Sequence, residues 1–344
     1  MRNLVVIAMI VLFASCKQEP HVPKDYAVIH GTIKNVNDSI SLRLYNPETS
    51  KSVIIEVDKN GNFRDTLKLD KPTSYNAVYN NIFVMYLKND MDLQVDFDSE
   101  KIQETITFKG KGEDENNFLK FKSKHVAGLF GEDYKEYLGL NAEDFNTTTH
   151  KFLKDFNTEL DKKANVLDSA FVAKERADIE EFKINMEGQH QEQLEINAKL
   201  GQGKPSPDFK NYTNYNGGKS SLADYRGSYV YIDVWATWCV PCIYEIPFLA
   251  KVEKQYEGKN IKFLSISADQ PKDEQKWRKM IKDKNMHGIQ LMADNATESQ
   301  FFADYYIYGI PRFILLDPQG NIVAYDAPRP SEEKLKDLLN SLDI

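Results

Sequence analysis

Short stretches of alternating apolar and polar residues fill the chain between residues 26 and 110. Residues 39–45 and 93–97 are examples, and both are rich in β-branched or aromatic side chains. Turn-forming sequences such as residues 58–61 separate these stretches. Period-two alternation between turns is typical of strands with one buried face, so the pattern predicts an antiparallel β domain over residues 26–110.

From residue 111 to residue 202 the apolar residues instead recur every three or four positions, as Phe152 and Phe156 do. No proline, which would break a helix, occurs between Pro72 and Pro205. The spacing predicts amphipathic helices, and we expect them to form a helical linker region that packs between the domains on either side. Their many Lys and Glu residues are interpreted as a solvated surface.

Residues 203–344 alternate between strand and helix patterns. Residues 229–235 and 261–267 are nearly continuous apolar runs, which are typical of buried strands, and a helical pattern follows each of them. A turn at residues 317–320 separates two further strands and predicts a hairpin. Helices placed between strands indicate an α/β domain, with a mixed central sheet flanked by helices.

An unbroken apolar run occupies residues 4–14. As a helix it would extend only about 16 Å, far less than the ~30 Å of a membrane core, so it suits a signal peptide over residues 1–15. The sequence FASC at residues 13–16 resembles a bacterial lipobox. This resemblance implies that Cys16 is lipidated and that residues 16–25 form a polar tether. A plain secretory signal or an N-terminal membrane anchor is the alternative.

The chain has 344 residues, of which 41% are hydrophobic, and its formal net charge is −8. This length suits about two domains, each with its own core, and the composition excludes wholesale disorder. The chain carries no long basic block. The charge pattern therefore argues against nucleic acid as a partner.

If Cys16 carries lipid, two of the three cysteines remain, Cys239 and Cys242. A disulfide between residues only three apart removes little chain entropy, so its value is chemical rather than structural. The pair lies where a buried strand gives way to a helix. Free N–H groups and the helix dipole favour a thiolate at Cys239, which we expect to be the nucleophile. Cys242, one turn later and less exposed, would be the resolving thiol.

Resolution requires Cys242 to lose a proton inside an apolar site, and a buried carboxylate with a raised pKa could accept that proton. Asp233 is one candidate because it interrupts an apolar strand, although it could also lie at the strand end and reach water. Glu245 is the other candidate, although it could equally be an exposed helix carboxylate. The residue pattern leaves both assignments open.

The dipeptide Ile310-Pro311 precedes the strand that begins at Arg312. A cis bond here would turn the backbone of Ile310 toward the Cys239 sulfur, where it could pair with an extended substrate. Trp238 is expected to flank the sulfur and to contribute to the same groove.

These residues together resemble the thioredoxin superfamily. The sequence WATWCVPC at residues 235–242, with Asp233 before it and Ile310-Pro311 downstream, carries the resemblance. Glu245 and the sequence PSPDF at residues 205–209 are similar to the TlpA/ResA-like envelope branch. The resemblance implies a thioredoxin fold over residues 203–344, no cofactor or metal, and a substrate groove formed by Trp238, Val240, Pro241, Ile310 and a cis Pro311.

The resemblance also implies an activity and a place in the cell. The β-rich domain followed by helices is similar in layout to lipoprotein members from Bacteroidetes-like bacteria. The protein would be a membrane-tethered thiol:disulfide oxidoreductase that faces the periplasm and reduces disulfides of envelope proteins, with apocytochrome c as one candidate substrate. A membrane thiol carrier would supply the electrons. Lys17 stands where an aspartate is linked to inner-membrane retention, which favours the outer membrane.

Three other functions fit parts of the sequence. A thiol peroxidase is one, because residues 205–209 also resemble peroxiredoxins; their threonine lies three residues before the reactive cysteine, whereas Thr237 lies two before Cys239. A redox-dependent binding or adaptor lipoprotein is the second. A zinc site is the third, and it needs about four ligands, of which one CxxC pair supplies two.

Overall fold

The computed structural model of the protein describes residues 22–37, 39–131 and 134–344. The predicted signal peptide, Cys16 and most of the predicted tether lie outside these residues. No helix within them combines the length and the apolar character needed to cross a membrane.

The chain divides into two compact units, which meet in sequence between Asn185 and Met186. The first unit contains two four-stranded sheets, with strand orders β4-β1-β7-β8 and β3-β2-β5-β6. Their strands are β1 (Ala27–Lys34), β2 (Leu42–Asn46), β3 (Lys51–Ile55), β4 (Asn62–Leu67), β5 (Thr73–Tyr79), β6 (Asn81–Leu87), β7 (Asp92–Asp98) and β8 (Thr107–Lys111).

The predicted β domain is confirmed, with one difference in pairing. Strands β1 and β7 run parallel, and the other pairs of both sheets are antiparallel. A tight turn can join only antiparallel neighbours, whereas parallel neighbours need a long crossover. Here the crossover from β1 to β7 contains one strand of the same sheet and four strands of the other sheet. No local sequence pattern therefore predicts the parallel pair.

Five helices follow the first strands: α1 (Ile102–Thr105), α2 (Glu113–Phe130), α3 (Tyr134–Leu138), α4 (Ala142–Lys163) and α5 (Ser169–Leu200). The apolar faces of α2, α4 and α5 share one buried core with strands of both sheets; Phe118, Phe156 and Phe171 are examples. The structure therefore groups most of the predicted linker region with the β domain. Helix α5 runs across the boundary between the two units.

The second unit has a seven-stranded sheet in the order β10-β9-β13-β12-β11-β14-β15. Strands β11, β12 and β13 are parallel, and β14 is antiparallel to β11, so the predicted mixed sheet is confirmed. The elements are β9 (Tyr212–Asn214), β10 (Lys219–Ser220), β11 (Tyr229–Trp235), α6 (Val240–Gln255), β12 (Ile261–Ser267), α7 (Glu274–Asp283), β13 (Ile289–Met292), α8 (Gln300–Asp304), β14 (Arg312–Leu316), β15 (Ile322–Ala324) and α9 (Glu333–Asn340).

Strand β11 lies inside this sheet and has a buried core on each face. Val230, Ile232 and Val234 belong to one core. On the other face Tyr231 packs with Leu249 and Val252 of α6, while Trp235 packs with Cys242. Each fully buried apolar side chain contributes about 1.5–3 kcal/mol, so both faces hold the strand in place. The chain leaves β11 at its carboxyl end and enters α6 after four intervening residues.

Candidate active site

Cys239 and Cys242 lie at the amino end of α6 and are joined by a disulfide bond. Cys239 caps the helix, and its Sγ accepts a hydrogen bond from the backbone N–H of Cys242 at 3.2 Å. In the reduced state this N–H and the helix dipole would both stabilise negative charge on that sulfur. The two residues are almost equally buried, at 4% and 3% exposure, so exposure alone does not separate nucleophile from resolving thiol.

The loop before β14 approaches the disulfide from the other side. The peptide bond between Ile310 and Pro311 is cis, and the carbonyl oxygen of Ile310 lies 3.7 Å from Cys239 Sγ. Strand β14 pairs with β11, which fixes this loop beside the start of α6. Cys239 Sγ and the backbone of Ile310 are therefore adjacent, as docking of an extended peptide along this loop requires.

Asp233 is buried on β11, between Ser265 of β12 and Phe313 of β14 in the sheet register. Burial raises the pKa of its carboxyl to about 8, and the nearby carboxylates of Glu253 and Glu245 add to the rise. A hydrogen bond with Ser265 opposes part of this effect. Asp233 thus does not reach water, and its carboxyl is able to take up and release a proton near neutral pH.

Glu245 is buried too, so it is not an exposed helix carboxylate. Its two carboxylate oxygens accept hydrogen bonds from the backbone N–H of Ser331 at 3.0 Å and from the Ser331 hydroxyl at 2.9 Å. Ser331 lies just before α9, so these bonds attach α6 to the carboxyl-terminal segment. Each carboxylate oxygen of Glu245 therefore has a hydrogen-bond partner within the fold. For Asp233, burial is the main cause of the raised pKa.

Three buried polar residues that were not predicted as part of the site lie on or beside the turn before Cys239: Thr237, Ser267 and Asp269. Both carboxylate oxygens of Asp269 accept hydrogen bonds from Thr237. The sequence offered one signal for this contact: Thr237 follows the end of β11 and Asp269 follows the end of β12. The carboxyl ends of neighbouring parallel strands meet at one edge of a sheet.

Exposed apolar side chains lie close in sequence to the two cysteines and to the cis-proline loop. Trp238 and Val240 are 56% and 75% exposed, and Pro241 is exposed beside them. Two further exposed aromatic residues were not predicted: Tyr244 on α6, and Tyr308 two residues before Ile310. Where exposed apolar side chains form a patch, they favour contact with another polypeptide.

Among the residues that the structure describes, no group of three or more His, Cys, Asp or Glu side chains is arranged to hold a metal ion.

Comparison with known proteins gives matches to part of the chain. A family model described as the AhpC/TSA family matches residues 202–325. Thioredoxin-like protein YneN of Bacillus subtilis is 31% identical over 123 residues, which are 36% of this chain and 69% of the relative. Thiol-disulfide oxidoreductase ResA of Bacillus anthracis is 25% identical over 145 residues, 42% of this chain and 80% of the relative.

Among solved structures, the thioredoxin domain of a thiol-disulfide oxidoreductase from Bacteroides vulgatus is 28% identical and covers 42% of this chain and 99% of that chain, with a TM-score of 0.38. The sequence relatives are themselves named a thioredoxin-like protein and a thiol-disulfide oxidoreductase. The chain therefore belongs to the TlpA/ResA-like branch of the thioredoxin superfamily, a family of thiol–disulfide oxidoreductases.

Proposed function

We propose that the protein reduces disulfide bonds of other proteins through a cycle between the Cys239–Cys242 dithiol and its disulfide. The observation that carries this proposal is the position of Cys239. Its sulfur lies at a helix amino end, accepts an N–H hydrogen bond and lies 3.7 Å from the Ile310 carbonyl oxygen. The exposed apolar side chains around it suit a polypeptide substrate.

The first step joins enzyme and substrate covalently. The Cys239 thiolate attacks one sulfur of the substrate disulfide, the substrate S–S bond breaks, and one substrate thiolate leaves. In the second step the Cys242 thiolate attacks Cys239 Sγ, and the second substrate thiolate leaves. The substrate gains two electrons, and the cysteine pair loses two. An external dithiol donor then reverses the change in the enzyme.

The second step requires deprotonation of Cys242. Asp233 lies on the face of β11 that packs against α6, the helix that carries this cysteine. Because its pKa is raised to about 8, its carboxylate accepts the thiol proton and later releases it. We assign this role to Asp233 rather than to Glu245, since Ser331 occupies both oxygens of Glu245.

Trapping of the mixed disulfide tests the cycle. In Cys242→Ser the second step is blocked, so a disulfide-bonded test protein such as insulin is expected to accumulate on Cys239. A non-reducing gel and mass analysis would detect the adduct. Cys239→Ser is the matched control and should form none. An adduct on Cys242 in Cys239→Ser, together with no adduct on Cys239 in Cys242→Ser, would contradict the assigned roles.

We also propose that the mature protein is tethered to a bacterial envelope membrane by lipid on Cys16 and faces the periplasm. The support is the lipobox-like sequence alone. Envelope proteins, with apocytochrome c as one candidate, would be its substrates, and a membrane dithiol carrier its donor. Lys17 favours the outer membrane. A Cys16→Ala variant should leave the membrane fraction, and its retention there would contradict lipidation.

A thiol peroxidase is the second candidate, favoured by the match to the AhpC/TSA family model. Against it, the Thr237 hydroxyl donates to Asp269, and Cys239 has a partner cysteine three residues away. Consumption of hydrogen peroxide by the dithiol form, at a rate that exceeds its reduction of insulin, would favour the peroxidase.

A further inference from the structure

Asp269 is a buried carboxylate behind the turn that carries the reactive cysteine. It is 1% exposed and lies two residues beyond the end of β12. The backbone N–H of Ala268 donates to the carbonyl oxygen of Trp235, which extends the β11–β12 pairing one residue past the end of β12. This pairing places Asp269 beside residues 236–239, called here the Cys239 turn.

Three donors converge on the Asp269 carboxylate. The Thr237 backbone N–H donates to Oδ2 at 2.9 Å, and the Thr237 hydroxyl donates to Oδ1 at 2.7 Å. The Ser267 hydroxyl also donates to Oδ2, at 2.7 Å. The Asp269 N–H in turn donates to the Ser267 oxygen at 3.0 Å, which fixes the position of that hydroxyl. The carboxylate is thus satisfied as an anion.

The Cys239 turn is anchored at two points. Thr237 is held by Asp269 through both its backbone and its side chain, and the Cys239 N–H donates to the Ala236 carbonyl oxygen at 3.1 Å. Cys239 is therefore two residues from a bidentate contact. Small displacements of a reacting group lower rates strongly, so this anchor bears directly on the placement of the sulfur.

Asp269 has no Lys, Arg or His ion-pair partner among the residues that the structure describes. Burial of a charge without a counter-ion is costly, and packing alone would be served better by an apolar residue. The other acids near the disulfide are Asp233 on β11 and Glu245 on α6, each on a different element and with different partners. The remaining side chains packed around the two cysteines are mainly apolar.

We propose that Asp269 is a positioning residue of this site, which holds the Cys239 turn through Thr237 and places a negative charge behind it. The inference rests on the proposed function. The charge disfavours the Cys239 thiolate, which opposes the effect of the helix amino end. A less stable thiolate makes the dithiol state less stable relative to the disulfide, so the pair becomes a stronger reductant.

Two substitutions separate the charge from the anchor. Asp269→Asn removes the charge but keeps the contacts, because the new amide can donate to Thr237 Oγ1 while its oxygen still accepts from Thr237 N and Ser267. Thr237→Val keeps the charge and removes one anchoring bond. Thr237→Ser should restore that bond. Asp317→Asn is the matched control, since Asp317 also accepts several hydrogen bonds but lies in the turn after β14.

The first readout is the pH profile of Cys239 alkylation in the full-length protein. In Asp269→Asn its midpoint should fall by about half a pH unit, which is about a threefold change in the thiol–thiolate ratio. The equilibrium with glutathione should move toward the reduced protein. Asp317→Asn should match the wild type in both. A folded Asp269→Asn with the wild-type midpoint and equilibrium would overturn the charge effect.

The second readout is the rate at which Cys239 forms the mixed disulfide with a protein substrate. Thr237→Val should slow this rate about fivefold or more without moving the alkylation midpoint, and Thr237→Ser should recover it. A wild-type rate in Thr237→Val would overturn the positioning role, even if Asp269→Asn fails to fold. Failure of the wild type itself to equilibrate with glutathione would instead overturn the proposed function.

Discussion

At the scale of single residues, Asp233 and Glu245 are both buried in the second unit, and Ser331 donates to both carboxylate oxygens of Glu245. The CxxC pair and its position at a strand-to-helix junction were readable from local pattern. The choice between Asp233 and Glu245 was not, because it depends on Ser331, a residue that only the tertiary fold brings near. Asp269 was missed for the same reason, since its partner Thr237 is 32 residues away in the chain.

The raised pKa of Asp233 predicts a pH-dependent stability. Between about pH 4 and the folded pKa of about 8, the folded state holds a proton that the unfolded state has lost, so stability falls as pH rises. Asp233→Asn removes this loss. Its stability relative to the wild type should therefore increase by about 4 kcal/mol between pH 5 and pH 8.

Urea unfolding of the oxidised proteins at the two pH values measures this change, because the cysteines do not titrate in the disulfide. Asp317→Asn serves again as the control and should show no comparable gain. A stability difference between Asp233→Asn and wild type that stays constant from pH 5 to pH 8 would contradict a raised pKa at Asp233.

At the scale of elements, strong local periodicity predicted the main helices and strands. The pairing of strands that are distant in sequence could not be predicted. The helical pattern predicted after residues 229–235 is α6, Val240–Gln255, and the two apolar runs are β11 and β12. Strands β9 and β10, of three and two residues, are too short to show a period. The parallel pairing of β1 with β7 depends on residues about sixty positions apart, which no window of the sequence joins.

The link between α6 and the segment before α9 gives a second prediction. Glu245→Gln keeps the shape of the side chain but weakens both bonds to Ser331, so the free energy of unfolding should fall by about 1–3 kcal/mol. The pH dependence of the resolving step should stay as in the wild type. Denaturant unfolding and single-turnover pH profiles measure the two effects. A resolving step whose apparent pKa rises in Glu245→Gln would move the proton role to Glu245.

At the scale of the whole molecule, the sequence predicted a β region, a helical region and an α/β region, and the structure joins the first two. Amphipathic spacing shows that a helix such as α4 has a buried face, but not which core covers it. Phe152 and Phe156 lie in the core of the β strands, so the helices complete the first unit. The matches to thioredoxin-like relatives cover less than half of the chain.

The equilibrium reduction potential of the Cys239–Cys242 pair tests the central claim most directly. It is measured in glutathione or dithiothreitol buffers by thiol trapping and mass, with Cys239→Ser as the control. A protein that reduces disulfides should give a value below roughly −230 mV. A value above roughly −180 mV would contradict the account and indicate an oxidant or isomerase.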